Sequence, residues 1–149
     1  MSATFLTNFL RLALNITGAE RGMAADDGLA IVATANLEQA DVLSPQFTGI
    51  EVIRQALDSG EPIITNNAVS DARRAPVTNT NFSNLRVVVV IPVEDRGAIY
   101  LDQHIRKGVF RKEIVDRLWL LGGRVLDSGN TNYSEVELQA LYEQMNDAV

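Results

Sequence analysis

The feature that most constrains this chain is the stretch 85–102, LRVVVVIPVEDRGAIYLD. Residues 87–91 are an unbroken run of β-branched side chains, the pattern of a strand buried on both faces. Pro92 follows, then Glu94-Asp95-Arg96-Gly97, a polar cluster with Gly where a tight turn needs a residue free to take positive φ. Residues 98–101 run apolar again. The stretch predicts a β-hairpin of two core strands, and such a hairpin implies a sheet.

The remaining elements can be placed around it. Apolar residues recur at helical spacing over 5–16, and Thr17-Gly18 closes the segment. Their arc is wide: Leu6, Phe9, Ala13 and Ile16 share one face while Phe5 and Leu12 extend it, so the helix should bury two contacts, its own sheet and something else. Residues 21–25 read as a strand, Asp26-Asp27-Gly28 as a turn and 29–35 as the return strand. A looser region, 36–46, precedes a capping box of Thr48 and Glu51, which opens a helix that Gly60 stops. Residues 62–65 form a short strand with Pro62 at its start. The longest polar stretch, 66–84, follows.

After the hairpin, 110–127 is the strongest helical pattern in the chain. Ile114, Leu118, Leu121 and Val125 form one stripe, flanked by Val115, Trp119 and Leu126. Gly122-Gly123 inside it costs about 1 kcal/mol per Gly relative to Ala, which makes sense where another backbone packs closely. Ser128-Gly129-Asn130 ends this helix. Ser134 and Glu137 form a capping box for a last short helix through Leu138, Leu141 and Met145. The expected organisation is one domain over 1–127 with a short-helix tail over 128–149.

Composition narrows the function. A chain of 149 residues with 46% hydrophobic and 21% charged residues can bury a real core. A net charge of -6 and scattered basic residues argue against nucleic acid or an anionic membrane as a main partner. With no Cys and a single His, thiol chemistry, a disulfide framework and Cys- or His-rich metal sites are excluded. No apolar segment reaches the roughly 20 residues of a membrane span. The N-terminal segment lacks a basic leader and carries Arg11 within its apolar part, so it reads as a helix of a cytoplasmic protein.

Several short phrases then converge on one likeness. They are Thr17-Gly18-Ala19-Glu20-Arg21-Gly22 before the first strand, Leu57-Asp58-Ser59-Gly60-Glu61-Pro62-Ile63 between helix and strand, and Asp71-Ala72-Arg73 in the polar stretch. Leu85-Arg86, Pro92 and Tyr100-Leu101-Asp102 complete the set. In this order, over residues 5–126, the chain resembles a GAF domain. The resemblance implies an α+β fold with an antiparallel sheet of about six strands. It places the N-terminal and long C-terminal helices on one face and the polar insert with short helices on the other. It further implies a regulatory role: small-molecule sensing or dimerisation in signalling, with no catalysis, and a fused effector domain or a signalling partner protein as its output.

Departures from the family pattern limit that role. Val87 and Val90 stand where members usually carry Ser and then Cys or another small residue, and the turn at 94–97 is short. Without Cys, neither reduction of methionine sulfoxide nor thioether attachment of a pigment is expected. Asn81-Phe82 is the nearest phrase to the cyclic-nucleotide signature, and no Asp-Glu pair follows it. No cofactor is expected.

For a ligand, the insert 66–86 offers Asn66, Asp71, Arg73, Phe82 and Arg86, which could grip a polar or anionic molecule. It could equally be a solvated loop pinned by Asp71 with Arg73 or Arg74. His104 reads as a surface residue, and Asp26 and Asp27 read as turn formers. For a homodimer, Phe5, Leu12, Trp119 and Gly122 mark the expected interface, two helix pairs forming a four-helix bundle. The competing reading is a ligand-free dimerisation or docking scaffold. An enzyme is not expected, because no nucleophile–base pair or metal set is present.

Overall fold

The computed structural model describes residues 2–38, 49–65, 86–129 and 132–147. Its elements run α1 (Ser2–Thr17), β1 (Arg21–Asp26), β2 (Ile31–Ala35), α2 (Gly49–Ser59), β3 (Ile63–Thr65), β4 (Arg86–Val93) and β5 (Gly97–His104). A 3-10 turn (Ile105–Lys107) leads to α3 (Lys112–Ser128) and α4 (Glu135–Asp147). The strands form one antiparallel sheet in the order β2-β1-β5-β4-β3. The fold is α+β, with five strands among the described residues where about six were expected.

The hairpin of β4 and β5 is its centre, as the β-branched run predicts. Alternate residues of that run point to opposite faces. Val87, Val89 and Ile91 join one apolar cluster and Val88 and Val90 another, all 2% exposed or less. β4 extends two residues beyond the expected strand, through Pro92 to Val93. This is tolerated because β3 pairs only with Val88 to Val90, so Pro92 lies where β4 has no neighbour on that side. In the turn, Asp95 takes a φ of 61° and Gly97 a φ of 147°. A Cβ on Gly97 would lie 2.0 Å from the Ala25 carbonyl oxygen, so no other residue fits without moving β1.

At the other hairpin, Asp26 turns the chain by accepting hydrogen bonds at Oδ1 from the N–H groups of Gly28 and Ala30, both 2.9 Å. Leu29 sits in that turn at a φ of 70°, and the return strand therefore begins at Ile31 instead of Leu29.

One face of the sheet is covered by α1 and α3, and α4 packs against both helices. Phe5, Leu6, Phe9, Leu12 and Ala13 of α1 are fully buried. The second contact predicted by the wide arc is α4 of the same chain. Leu138, Tyr142 and Met145 of α4 belong to the same core cluster as Phe5, Leu12, Leu118 and Leu121. Burying side chains of this size contributes about 1.5–3 kcal/mol each, so residues 135–147 are part of the domain core and not a tail. The α4 capping box forms as expected. Glu137 N–H donates to Ser134 Oγ at 3.1 Å, and Ser134 N–H donates to Glu137 Oε1 at 2.8 Å.

The α3 glycines depart from expectation. A Cβ on Gly122 would meet the Phe9 ring at an ordinary 3.5 Å, and one on Gly123 would meet nothing within 4 Å. The close approach of backbones lies instead at Gly22 of β1. A Cβ there would stand 2.9 Å from Leu10 Cδ1 and 3.1 Å from the Tyr100 carbonyl oxygen.

Candidate functional site

The opposite face of the sheet carries α2, whose Ile53 and Ala56 are buried against Met23, Ala25, Val88, Val90, Ala98 and Tyr100. Strand alternation places Arg21, Arg86 and Asp102 on this same face, two residues beyond Met23, Val88 and Tyr100. Register brings them together: Arg21 lies directly opposite Asp102, and Val88, the next strand-face neighbour of Arg86, lies opposite Asp102 on the other side.

Asp102 is fully buried at the centre of this cluster. Arg21 holds it in a two-pronged pair, Nε to Oδ1 at 2.8 Å and Nη2 to Oδ2 at 2.7 Å. Arg86 Nε donates to Oδ1 at 3.0 Å, and the Tyr100 hydroxyl donates to Oδ2 at 2.5 Å. Arg86 Nη2 reaches on to Glu20 Oε1 at 2.6 Å, and the same oxygen accepts the His104 backbone N–H at 2.9 Å. Two carboxylates and two guanidiniums thus neutralise one another. Breaking such an arrangement is far costlier than its formation is favourable, because it leaves a charge buried without a partner.

Two groups are shifted by this arrangement. Burial, and then the neighbouring Asp102 charge and hydrogen bond, push the Tyr100 hydroxyl well above its ordinary 10.0. The His104 N–H holds the Glu20 carboxyl below its ordinary 4.5, with partial burial opposing and Arg86 assisting. Tyr100 is therefore a hydrogen-bond donor at every physiological pH, and Glu20 an acceptor.

Topology adds a second property to this end of the sheet. β2 runs out at Ala35, opposite Gly22, so the connection 36–48 leaves beside Arg21. β3 runs out at Thr65, opposite Val88, and β4 begins at Arg86, so the connection 66–85 both leaves and re-enters there. Asn36 Nδ2 ties the first of these to the Glu20 carbonyl at 2.9 Å. Both connections therefore join the sheet at the charged end. At the hairpin-turn end, a cavity of about 550 Å³ opens between Leu57, Pro92, Asp95, Trp119 and Gly123.

Of the ligand-binding residues expected from sequence, Asn66, Asp71, Arg73 and Phe82 lie outside the described residues, as does Thr48 of the first capping box. Arg86 is described, and its guanidinium is engaged by Asp102 and Glu20. Of the expected dimer residues, Phe5 and Leu12 are fully buried within the chain's own core and Gly122 is buried against Phe9. Trp119 remains half-buried, beside Leu120 at 57% exposure. His104 caps the 3-10 turn, its Nδ1 accepting from Arg106 N–H at 3.0 Å. Among the described residues, no group of three or more His, Asp or Glu side chains is placed to hold a metal ion.

Sequence reading missed Glu20, Arg21, Tyr100 and Asp102 as a site. The available signal was Asp102 two residues after Tyr100 on a strand otherwise built for a core, since a carboxylate there requires cationic partners.

No protein-family model matches the chain, and no curated protein matches it. Among solved structures, it is similar to the GAF domain/HD domain protein from Geobacter sulfurreducens, with a TM-score of 0.53 and 12% identity. The match covers 85% of this chain and 92% of that one. The likeness is one of fold, and the chain has a GAF-like fold. No helix among the described residues is long and apolar enough to cross a membrane.

Proposed function

We propose that this chain is a non-enzymatic regulatory domain that binds a small molecule on the α2 face of its sheet. The observation that carries the reading is the buried charge cluster at the edge of the apolar floor under α2. Among the described residues, α1 and α3 lie over one face with α4 packed on them, while the other carries α2 over an apolar floor that ends in the Arg21–Asp102–Arg86 cluster, where the connections 36–48 and 66–85 join the sheet. The GAF-like fold supports it by likeness of architecture. Arg86 opens β4 at this end of the sheet, so a ligand that engages its guanidinium acts on β4 directly. It shifts the domain only by as much as it binds two states of the domain differently.

Native mass spectrometry of freshly purified protein, followed by denaturation of the same sample, tests this. A small molecule retained under gentle conditions and lost on denaturation supports the sensor. Nothing bound, together with no stabilisation across a thermal-shift screen of metabolites, contradicts it. A second reading, a docking or dimerisation scaffold in the cytoplasm, draws on Trp119 and the exposed Leu120 on the outer side of α3. Leu120→Glu that changes the mass in solution while the fold is kept would favour it.

A further inference from the structure

The inner side of α3 is committed to the core, but its outer side holds a feature that packing does not explain. Trp119, Gly123 and Asp127 follow one another at four-residue spacing, so they lie in one line along the helix. Gly inside a helix destabilises it relative to Ala. At Gly123 neither a positive φ nor a close neighbour accounts for that, since a Cβ there would meet nothing within 4 Å. What the missing side chain does leave is a notch between an indole ring and a carboxylate.

All three residues line the cavity of about 550 Å³ at the hairpin-turn end of the sheet, a volume in the range of small-molecule sites. Leu57 at the end of α2, Pro92 of β4 and Leu120 of α3 give the cavity apolar walls. Pro92 has no N–H, and β3 pairs no further along β4 than Val90, so this wall offers no backbone donor at residue 92. The lining carries Glu94, Asp95 and Asp127 against Arg124 alone, an excess of two negative charges. Among the described residues, none of these four takes part in a salt bridge. Trp119 is half-buried here, and Trp is the side chain whose ring attracts a cation most strongly.

The geometry points to a second ligand site in this cavity, for a small organic cation: an ammonium group on an apolar body. The ammonium meets Trp119 and the carboxylates of Glu94, Asp95 and Asp127. The apolar body rests on Leu57, Pro92 and Leu120, with the notch at Gly123 giving it room against α3. An ammonium brings only donors, and ionised carboxylates only accept. An anion would have Arg124 for it and three carboxylates against it. The site lies at the other end of the sheet from Asp102, and neither proposal depends on the other.

The test is titration of the full chain with phenethylamine, 2-phenylethanol and 3-phenylpropanoate, which share an apolar body and carry a positive, a neutral and a negative head. Trp119 is the only Trp of the chain, so indole emission reports this cavity alone. Phenethylamine is expected to change that emission saturably and to bind about tenfold more tightly than the alcohol, with the carboxylate weaker still. Asp127→Asn should cut the preference for the amine about threefold. Gly123→Leu puts a side chain into the notch at an exposed helix position, so it should keep the fold by circular dichroism and abolish saturable binding. Four outcomes overturn the site. They are no saturation by about 10 mM, equal affinity for amine and alcohol, unchanged binding in folded Gly123→Leu, or emission that follows protein concentration in place of ligand. The last would mean that a second copy of the chain covers this wall. The wild-type series decides the first two without any variant.

Discussion

The two faces of the sheet are built on different principles. The helix-covered face is held by apolar burial contributed by α1, α3 and α4, with Gln103 its lone buried polar side chain among the described residues. Among the described residues, the α2 face has a smaller apolar cluster and a fully buried carboxylate whose position depends on two arginines, a tyrosine and Glu20. Apolar burial is non-directional and yields gradually to substitution. A buried ion cluster is directional, and fails when one partner is lost. On the proposed sensor reading, the first face is the scaffold and the second the part that responds.

The largest expected effect falls on the α2 face. Asp102→Ala leaves Arg21 and Arg86 without their shared carboxylate and should cost about 3–5 kcal/mol in urea unfolding. A loss below about 1 kcal/mol, the range of an exposed pair, would erase the contrast between the faces. On the scaffold face, Leu138→Ala should cost about 2–5 kcal/mol through the cavity it leaves. A negligible loss would return α4 to the status of a tail. Gly97→Ala probes where the hairpin crosses β1, and backbone strain alone should cost about 1–3 kcal/mol there.

Two smaller effects sharpen the comparison. Ser134→Ala removes one half of the α4 capping box and should cost about 1 kcal/mol, read as a modest fall in thermal midpoint. Glu20, whose folded pKa is lowered, adds stability that is fully present above pH 4.5 and is lost as pH falls through the lowered folded value. Its side chain is 37% exposed, so the effect is small. Glu20→Gln should cost under about 1 kcal/mol at neutral pH and flatten part of the decline in stability below pH 4.5. For Tyr100 the sign reverses. Its raised pKa means stability falls as pH rises above 10.0, where the unfolded chain ionises first.

What the sequence disclosed follows the same division. The hairpin, α1, α3 and the Ser134 cap were legible, because β-branched runs, helical periodicity and capping residues are local signals. The wide apolar arc of α1 was legible as a need for two partners, but not which ones. Only the packed chain shows that Leu138, Tyr142 and Met145 supply the second, and that Phe5 and Leu12 therefore face inward. The charge cluster was the least legible. It joins residues 20, 21, 86, 100 and 102 across three strands, and their meeting depends on a register that no single strand encodes. Arg86 stood out in sequence as a ligand contact; the structure gives its Nε and Nη2 to Asp102 and Glu20.

The most direct test of the contrast is native-state hydrogen exchange, comparing the amides of α1 and α2. The amides of α1 should exchange only through global unfolding, and those of α2 through a smaller opening of lower free energy. Equal protection in α1 and α2 would mean that both faces open as one unit, which would contradict the assignment of the α2 face as the part that responds.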